Sequence, residues 1–203
     1  NVVKLHQGDF LLVGGEFTTY DSQNYNHLVR VNLDGALDET FNLGSGANGE
    51  VHDIAVDSLG RIIVVGEFGA FDGIARANIA RLNPDGSLDG TFNPGFGADG
   101  DINSVSVQAD DRVVIGGRFL LFDGVQVPGV ARLQLDGSLD RSFAEALPRV
   151  DIASSWVNRV EVLEDGRILV AGSFAATHDA DGNVLTYRGV LRLKRDGSVD
   201  TTF

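Results

Sequence analysis

The segment GRIIVVGEF at residues 60–68 decides how this chain is read. It returns as DRVVIGGRF at 111–119 and GRILVAGSF at 166–174, with a degenerate copy, DFLLVGGEF, at 9–17. Phe17, Phe68 and Phe119 are 51 residues apart, and Phe174 follows after 55. A second segment keeps the same beat: VRVNLDGALDETF (29–41), IARLNPDGSLDGTF (79–92), VARLQLDGSLDRSF (130–143) and VLRLKRDGSVDTTF (190–203). Its closing Phe41, Phe92 and Phe143 are again 51 apart, with Phe203 after 60. Four tandem units at 1–50, 51–100, 101–152 and 153–203 therefore make up one repeat domain over 1–203.

Each unit reads as strands. Val51 to Val56 alternates apolar and polar residues, the pattern of a half-buried strand. Arg61 to Phe68 is a dense β-branched run, suited to a strand covered on both faces. Ile79 to Asn83 alternates again before Asp85-Gly86, and Leu88 to Phe92 is a short run after that turn. The four prolines fall between such runs, and no segment keeps a helical period over three turns. Four short strands per ~50 residues match one blade of a β-propeller, kelch blades running about 50 and WD40 blades about 40–45 residues. The expected fold is all-β, a propeller of four blade-like repeats of about 51 residues, either a closed four-bladed ring or part of a larger one. The chain starts without Met, and Asn1 and Phe203 correspond to His52 and Phe41, so the units read as cut from a longer array. An open arc would need neighbouring repeats, or another copy of the chain, to cover its end blades.

The 203 residues include 29 acidic and 16 basic side chains, for a net charge of -13, with no Cys and no Met. That charge argues against nucleic acid and against anionic membrane surfaces as partners. No apolar run approaches the ~18 residues of a membrane-inserted helix. Without cysteine there is no disulfide framework and no thiolate site. The acids are 22 Asp against seven Glu and the bases 14 Arg against two Lys, a balance that favours turns and caps over helix interiors.

The repeat lacks the Trp-Asp signature of WD40 units and, with one Trp, the kelch aromatic pattern. It resembles the delta-60 repeat, a β-propeller repeat of large bacterial secreted and surface proteins. The pattern of that family is an apolar strand, then DGR-[IV]-[LV]-[VI]-x-G-x-F, then [IV]-A-R-L-N-x-D-G-S-L-D-x-[ST]-F-N-P-G. Residues 51–101 match nearly throughout and the resemblance covers essentially the whole chain, with insertions around 144–155 and 175–189 in the fourth repeat. It implies a propeller and an extracellular or cell-surface setting, and carries no chemistry with it.

Ten of the 12 Phe residues sit at repeat positions: the eight above, Phe71 and Phe122. Their recurrence predicts a core where blade meets blade. The string G-x-G-x-x-G occurs at Gly44, Gly46, Gly49 and at Gly95, Gly97, Gly100. In a dinucleotide site the glycines open a helix; here a strand follows and Glu50 or Asp101 comes next, so a loop between blades is expected. The turn N-x-D-G-x-x-D (Asn32, Asp34, Asp38; Asn83, Asp85, Asp89) resembles part of a calcium loop. Its first ligand position would be Arg30 or Arg81, and the Asn becomes Gln134 and Lys194. The expectation is that Arg30, Arg81, Arg132 and Arg192 bridge to a repeated Asp or to loop carbonyls, with Asp-Gly making the turn. Asp179, Asp181 and Asn183, in the insertion Thr177-His-Asp179-Ala-Asp181-Gly182-Asn183, space oxygens by two around a Gly and are the metal candidate, for calcium, against a polar hairpin tip. The four His residues occupy non-equivalent repeat positions, and no G-x-S-x-G, H-E-x-x-H or phosphate loop occurs. Trp156, at the start of a strand, reads as core.

These readings lead to a non-catalytic extracellular scaffold or adhesion module of a bacterial surface or secreted protein, with a protein or glycan partner and no cofactor beyond that calcium candidate. The alternative is a carbohydrate- or calcium-binding propeller using loops on one face or the central channel. A hydrolase or lyase built on channel carboxylates stands third.

Overall fold

A computed structural model of the chain describes residues 2–150, 156–173, 177–178, 184–185 and 189–203. The first repeat forms β1 (Val2–His6), β2 (Phe10–Gly14), β3 (Thr19–Tyr20), β4 (Gln23–Asn24) and β5 (Leu28–Asn32). β1, β2 and β5 make an antiparallel sheet with β2 in the middle, and β3 and β4 form a separate hairpin. The second repeat copies this with β6 (Glu50–Val56), β7 (Ile62–Glu67), β8 (Ala70–Phe71), β9 (Ile74–Ala75) and β10 (Ile79–Leu82). The third does so with β11 (Ile102–Val107), β12 (Val113–Gly117), β13 (Leu121–Phe122), β14 (Val125–Gln126) and β15 (Val130–Leu133). A short helix, α1 (Arg141–Ala146), and β16 (Arg149–Val150) lead to the fourth sheet. That sheet is β17 (Trp156–Val162), β18 (Ile168–Ser173) and β21 (Val190–Leu193), while β19 (Thr177–His178) and β20 (Val184–Leu185) pair beside β16.

Two features differ from the sequence expectation. The fourth strand of each blade shrinks to a single bridge: Val31 with Leu37, Leu82 with Leu88, Leu133 with Leu139 and Leu193 with Val199. Pairing stops there because the next Asp turns the chain back towards its own blade, its side chain accepting from the residue two further on, as Asp38 does from Thr40. The helix is also new. Its six residues follow Asp140, whose carboxylate accepts from the Phe143 amide at 3.3 Å as the N-cap.

The inner strands β1, β6, β11 and β17 lie side by side in chain order, so the sheets stack as blades. The cores lie between the sheets. Ile62 and Val64 of β7 face the first blade, and Ile63 and Val65 of the same strand face the third. This is why that run is β-branched throughout, with no polar alternate. Three such cores join the four blades, holding Phe41, Phe68 and Phe71 in the first, Phe92, Phe119 and Phe122 in the second and Phe143 in the third. Glycine permits the close approach: a Cβ on Gly14 would lie 2.5 Å from the Val51 side chain, and one on Gly116 would lie 2.6 Å from that of Val157.

Candidate functional site

The most regular cluster of charged groups lies at the blade junctions. Arg30 donates from Nε to Asp38 Oδ2 at 2.6 Å and from Nη1 to the Pro84 carbonyl of the next blade at 2.8 Å. Its guanidinium carbon sits 4.2 Å from the centre of the Phe41 ring. Asp38 Oδ1 accepts from both the amide and the hydroxyl of Thr40. Arg81 repeats this with Asp89, the Leu135 carbonyl and Phe92, and Arg132 with Asp140, the Arg195 carbonyl and Phe143. Both expected roles of the arginine, carboxylate partner and carbonyl donor, are thus met by one side chain. Burial pushes the Asp38, Asp89 and Asp140 carboxyls up, but hydrogen bonds from the neighbouring Thr or Ser, reinforced by the arginine, outweigh it and hold all three below the usual value.

The first Asp of each turn is equally occupied. Asp85 Oδ1 accepts from the amide and hydroxyl of Ser87, and Asp136 and Asp196 do the same with Ser138 and Ser198. The glycine loops are closed by the hairpin that follows them. Asp72 Oδ1 accepts from the Ser45 amide at 2.9 Å, inside Gly44–Gly46, and Asp123 accepts from the Phe96 amide at 3.0 Å in the next copy. A carboxylate therefore stands against the amide that a phosphate would need, and a Cβ on Gly44 would collide with it.

Along the inner strands, side chains reach from blade to blade. β6, β11 and β17 each carry a bulge, at His52, Asn103 and Asn158. A ring nitrogen of His52 lies 3.1 Å from the Ile102 carbonyl, and Asn103 donates to the Val157 carbonyl at 2.7 Å. Buried Asp53 Oδ2 accepts from the Ser104 hydroxyl and the Val105 amide, both at 3.1 Å, and from Arg159 at 3.3 Å. Arg159 also pairs with Glu161 at 3.4 Å. Sequence reading missed this line because Asp53, Ser104 and Arg159 share a repeat position without sharing a residue type.

Asp179, Asp181 and Asn183 lie outside the described residues, as does Phe174. Among the described residues no three His, Cys, Asp or Glu side chains converge as metal ligands. His6 binds the Gly60 carbonyl and His27 the Gly15 carbonyl, so they do not share a site. Trp156, expected in the core, is 40% exposed with Arg118 5.9 Å from its ring centre. A polar cleft of about 620 Å³ opens beside the first blade, lined by Gln23, Asn24, Tyr25, Asn26, Glu39, Asn42 and Ser45. No helix among the described residues is long and apolar enough to cross a membrane.

Small antiparallel sheets stacked side by side, each with its own inner strand against the next, define a β-propeller domain. The chain belongs to the β-propeller family described as domain of unknown function DUF5122, whose sequence model matches residues 11–41, 60–92, 108–143 and 163–203. No curated protein matches the sequence. Among solved structures, the WD40 β-propeller domain of Doa1 aligns with 90% of this chain and 48% of its own, at 17% identity and a TM-score of 0.56. The extracellular domain of BT4673 from B. thetaiotaomicron aligns with 92% of this chain and 22% of its own, at 12% identity and a TM-score of 0.53. PorZ, a surface component of the type-IX secretion system of Porphyromonas gingivalis, aligns with 98% and 26%, at 12% identity and a TM-score of 0.46. The chain thus spans half or less of the length of each.

Proposed function

We propose that this chain is a non-catalytic propeller module of a bacterial surface or secreted protein, acting as a scaffold or adhesion surface. One observation carries this reading: at the three internal joints Arg30, Arg81 and Arg132, their Asp partners and the Phe rings beneath them are consumed in joining blades. Among the described residues these buried charged groups close on each other and on backbone, which supports a role in holding the repeat together. The extracellular setting draws support from the delta-60 pattern and from the fold shared with the extracellular domain of BT4673. Protease shaving of intact cells of the parent bacterium tests it. Release of peptides from this domain is expected, and their retention until lysis would overturn the extracellular assignment.

A second reading, glycan binding on one loop face, is favoured by the cleft beside the first blade. Repeat two has Ile74-Ala75-Arg76-Ala77 where repeat one has Gln23-Asn24-Tyr25-Asn26. Departure from the repeat at a cleft, towards amides and a phenol, is the chemistry that hydrogen-bonds and stacks on sugar hydroxyls and rings. A glycan array separates the two readings: hits lost in Tyr25→Ala favour binding, and no hits favour the scaffold.

A further inference from the structure

The turn after the inner strand of one blade meets the same turn of the next blade, and two of these three internal joints are fastened by a side chain. Between the second and third blades, the Ser58 amide and hydroxyl donate to Asp111 at 2.9 and 2.6 Å. Between the first and second, a ring nitrogen of His6 lies 3.0 Å from the Gly60 carbonyl. The joint between the third and fourth blades has neither fastening. Ala109 stands in the repeat position of Ser58, and Gly166 in that of Asp111. Gln108 stands in the position of His6, but its bond, 3.5 Å from Arg132 Nη1, stays within the third blade. A cleft of about 460 Å³ lies open there. Gln108, Asp110 and Arg112 of the third blade and Glu164, Arg195 and Asp196 of the fourth line it. It shares no residue with the cleft beside the first blade, so it stands apart from the glycan reading of that cleft.

Three side chains in this cleft have donors to spare. Gln108 is only 9% exposed. Arginine only donates, so Gln108 turns Oε1 to Arg132 and its NH2 finds no acceptor among the described residues. Arg195 donates from Nε to the Asp165 carbonyl at 2.6 Å, and among the described residues its two Nη groups have no partner. Arg112 donates from Nε to Gln134 at 3.2 Å and pairs through Nη1 with Asp110 at 3.3 Å, which leaves Nη2 over in the same way. Arg195 is also an exception within the repeat, since Leu33, Pro84 and Leu135 hold its position. The joint without a fastening is thus the one whose turn carries a cation.

Guanidinium forks and an amide NH2 suit a planar carboxylate. The carboxylates of Asp110, Glu164 and Asp196 in the same cleft oppose a multiply charged anion, such as a phosphate or a run of acidic residues, and accept from hydroxyls. A ligand with one carboxylate beside several hydroxyls satisfies both sets. We infer that this cleft binds a uronic acid, its carboxylate held by Arg195, Arg112 and the Gln108 amide and its hydroxyls by the acidic side chains.

Calorimetric titration of the full chain with galacturonate and with its oligomer tests this, against a neutral galactose oligomer and poly-glutamate. Uronate binding is expected, and the comparison of monomer with oligomer tells whether the cleft takes a free acid or a unit of a polymer. Arg195→Leu restores the residue found at Leu33 and Leu135 and keeps the backbone carbonyl that Arg132 uses. It should raise the Kd at least about tenfold. Ala109→Ser combined with Gly166→Asp rebuilds the Ser58 fastening and should abolish binding. Asp111 already adopts φ +61° at that position, close to the +80° of Gly166, and a Cβ on Gly166 would push Arg195 Nε, 2.5 Å away, out of the cleft. Thermal melts verify that both variants fold, and Tyr25→Ala should bind as the unaltered chain does. No uronate binding, equal binding of the neutral oligomer, preference for poly-glutamate, or affinity unchanged in Arg195→Leu would overturn the proposal. Loss of binding in Tyr25→Ala would overturn it too, by moving the ligand to the first-blade cleft.

Discussion

Arg81 donates from Nη1 to the carbonyl of Leu135, 54 residues further on, at 2.6 Å, while its Nε holds Asp89 in its own blade at 2.8 Å. One cation therefore connects the end of its own blade to the turn of the next. Lysine has no planar fork and cannot serve both acceptors from a position over the Phe92 ring. Arg81→Lys should cost about 3 kcal/mol, the scale of breaking a buried pair. Among the described residues none supplies a second-blade carbonyl to Arg192, so Arg192→Lys should cost about 1 kcal/mol or less. Urea unfolding of both variants gives the comparison, and equal losses would show that the carbonyl contributes nothing.

Gly86 and Gly35 occupy the same turn position with nearly the same backbone, φ +93° and +89°. Alanine at either incurs the left-handed penalty of about 1–2 kcal/mol. Only at Gly86 does the new methyl meet a ring, 2.9 Å from Phe41. Gly86→Ala should therefore destabilise by at least about 1 kcal/mol more than Gly35→Ala, from overpacking of the joint. Thermal melts measure the difference. If it is zero, the glycine is present for its turn alone.

Much of this was visible before the structure. A residue that recurs every 51 positions is under the same packing demand each time, so Phe41, Phe92 and Phe143, and the arginines over them, were legible as joints. What stayed hidden does not recur by type. Position 53 is Asp, its equivalents are Ser104 and Arg159, and only the fold shows that they bond to one another. His52 and Asn103 differ in letter while doing the same work from a bulge. Trp156 was misread because burial at the edge of an insertion depends on what packs over it, which periodicity does not report. The Asp72 clasp was hidden for another reason: the Phe-Asp-Gly hairpin announces a turn, but nothing local says that its carboxylate reaches back 27 residues to Ser45.

Two pH transitions are expected in stability. His6 lies between the Gly60 carbonyl, which only accepts, and the Arg30 guanidinium, which only donates. It is therefore neutral, with Nε2 donating and Nδ1 accepting. Burial lowers its pKa below 6.5, with Arg30 adding to the effect against the Gly60 hydrogen bond. A lowered folded pKa means that this contribution is complete above pH 6.5 and is lost as pH falls from there through the folded value. Asp38, Asp89 and Asp140 follow the same sign lower down, their contribution being complete above 3.8 and lost below it. His6→Gln should abolish the upper step and leave the lower one. Unfolding midpoints between pH 3 and 8 provide the check, and an unchanged upper step would assign it to another group.

Asp53 differs from the junction aspartates because its oxygens serve mainly the neighbouring blade. Oδ1 accepts from its own Ile54 amide at 2.9 Å, whereas Oδ2 receives Ser104 and the Val105 amide of the third blade and Arg159 of the fourth. The Arg159 side chain is more than half exposed, so its pairing is weak in water. The amide is not exposed, and removing its acceptor leaves a buried donor unpaired. Asp53→Ala should thus cost about 2–4 kcal/mol, while Arg159→Ala costs less than about 1 kcal/mol. A double-mutant cycle measures their coupling, which should be below about 1 kcal/mol. Backbone hydrogen exchange at Val105 should rise in Asp53→Ala and stay unchanged in Arg159→Ala. The opposite pattern would make the ion pair, and not the carboxylate-to-amide bond, the tie between the inner strands.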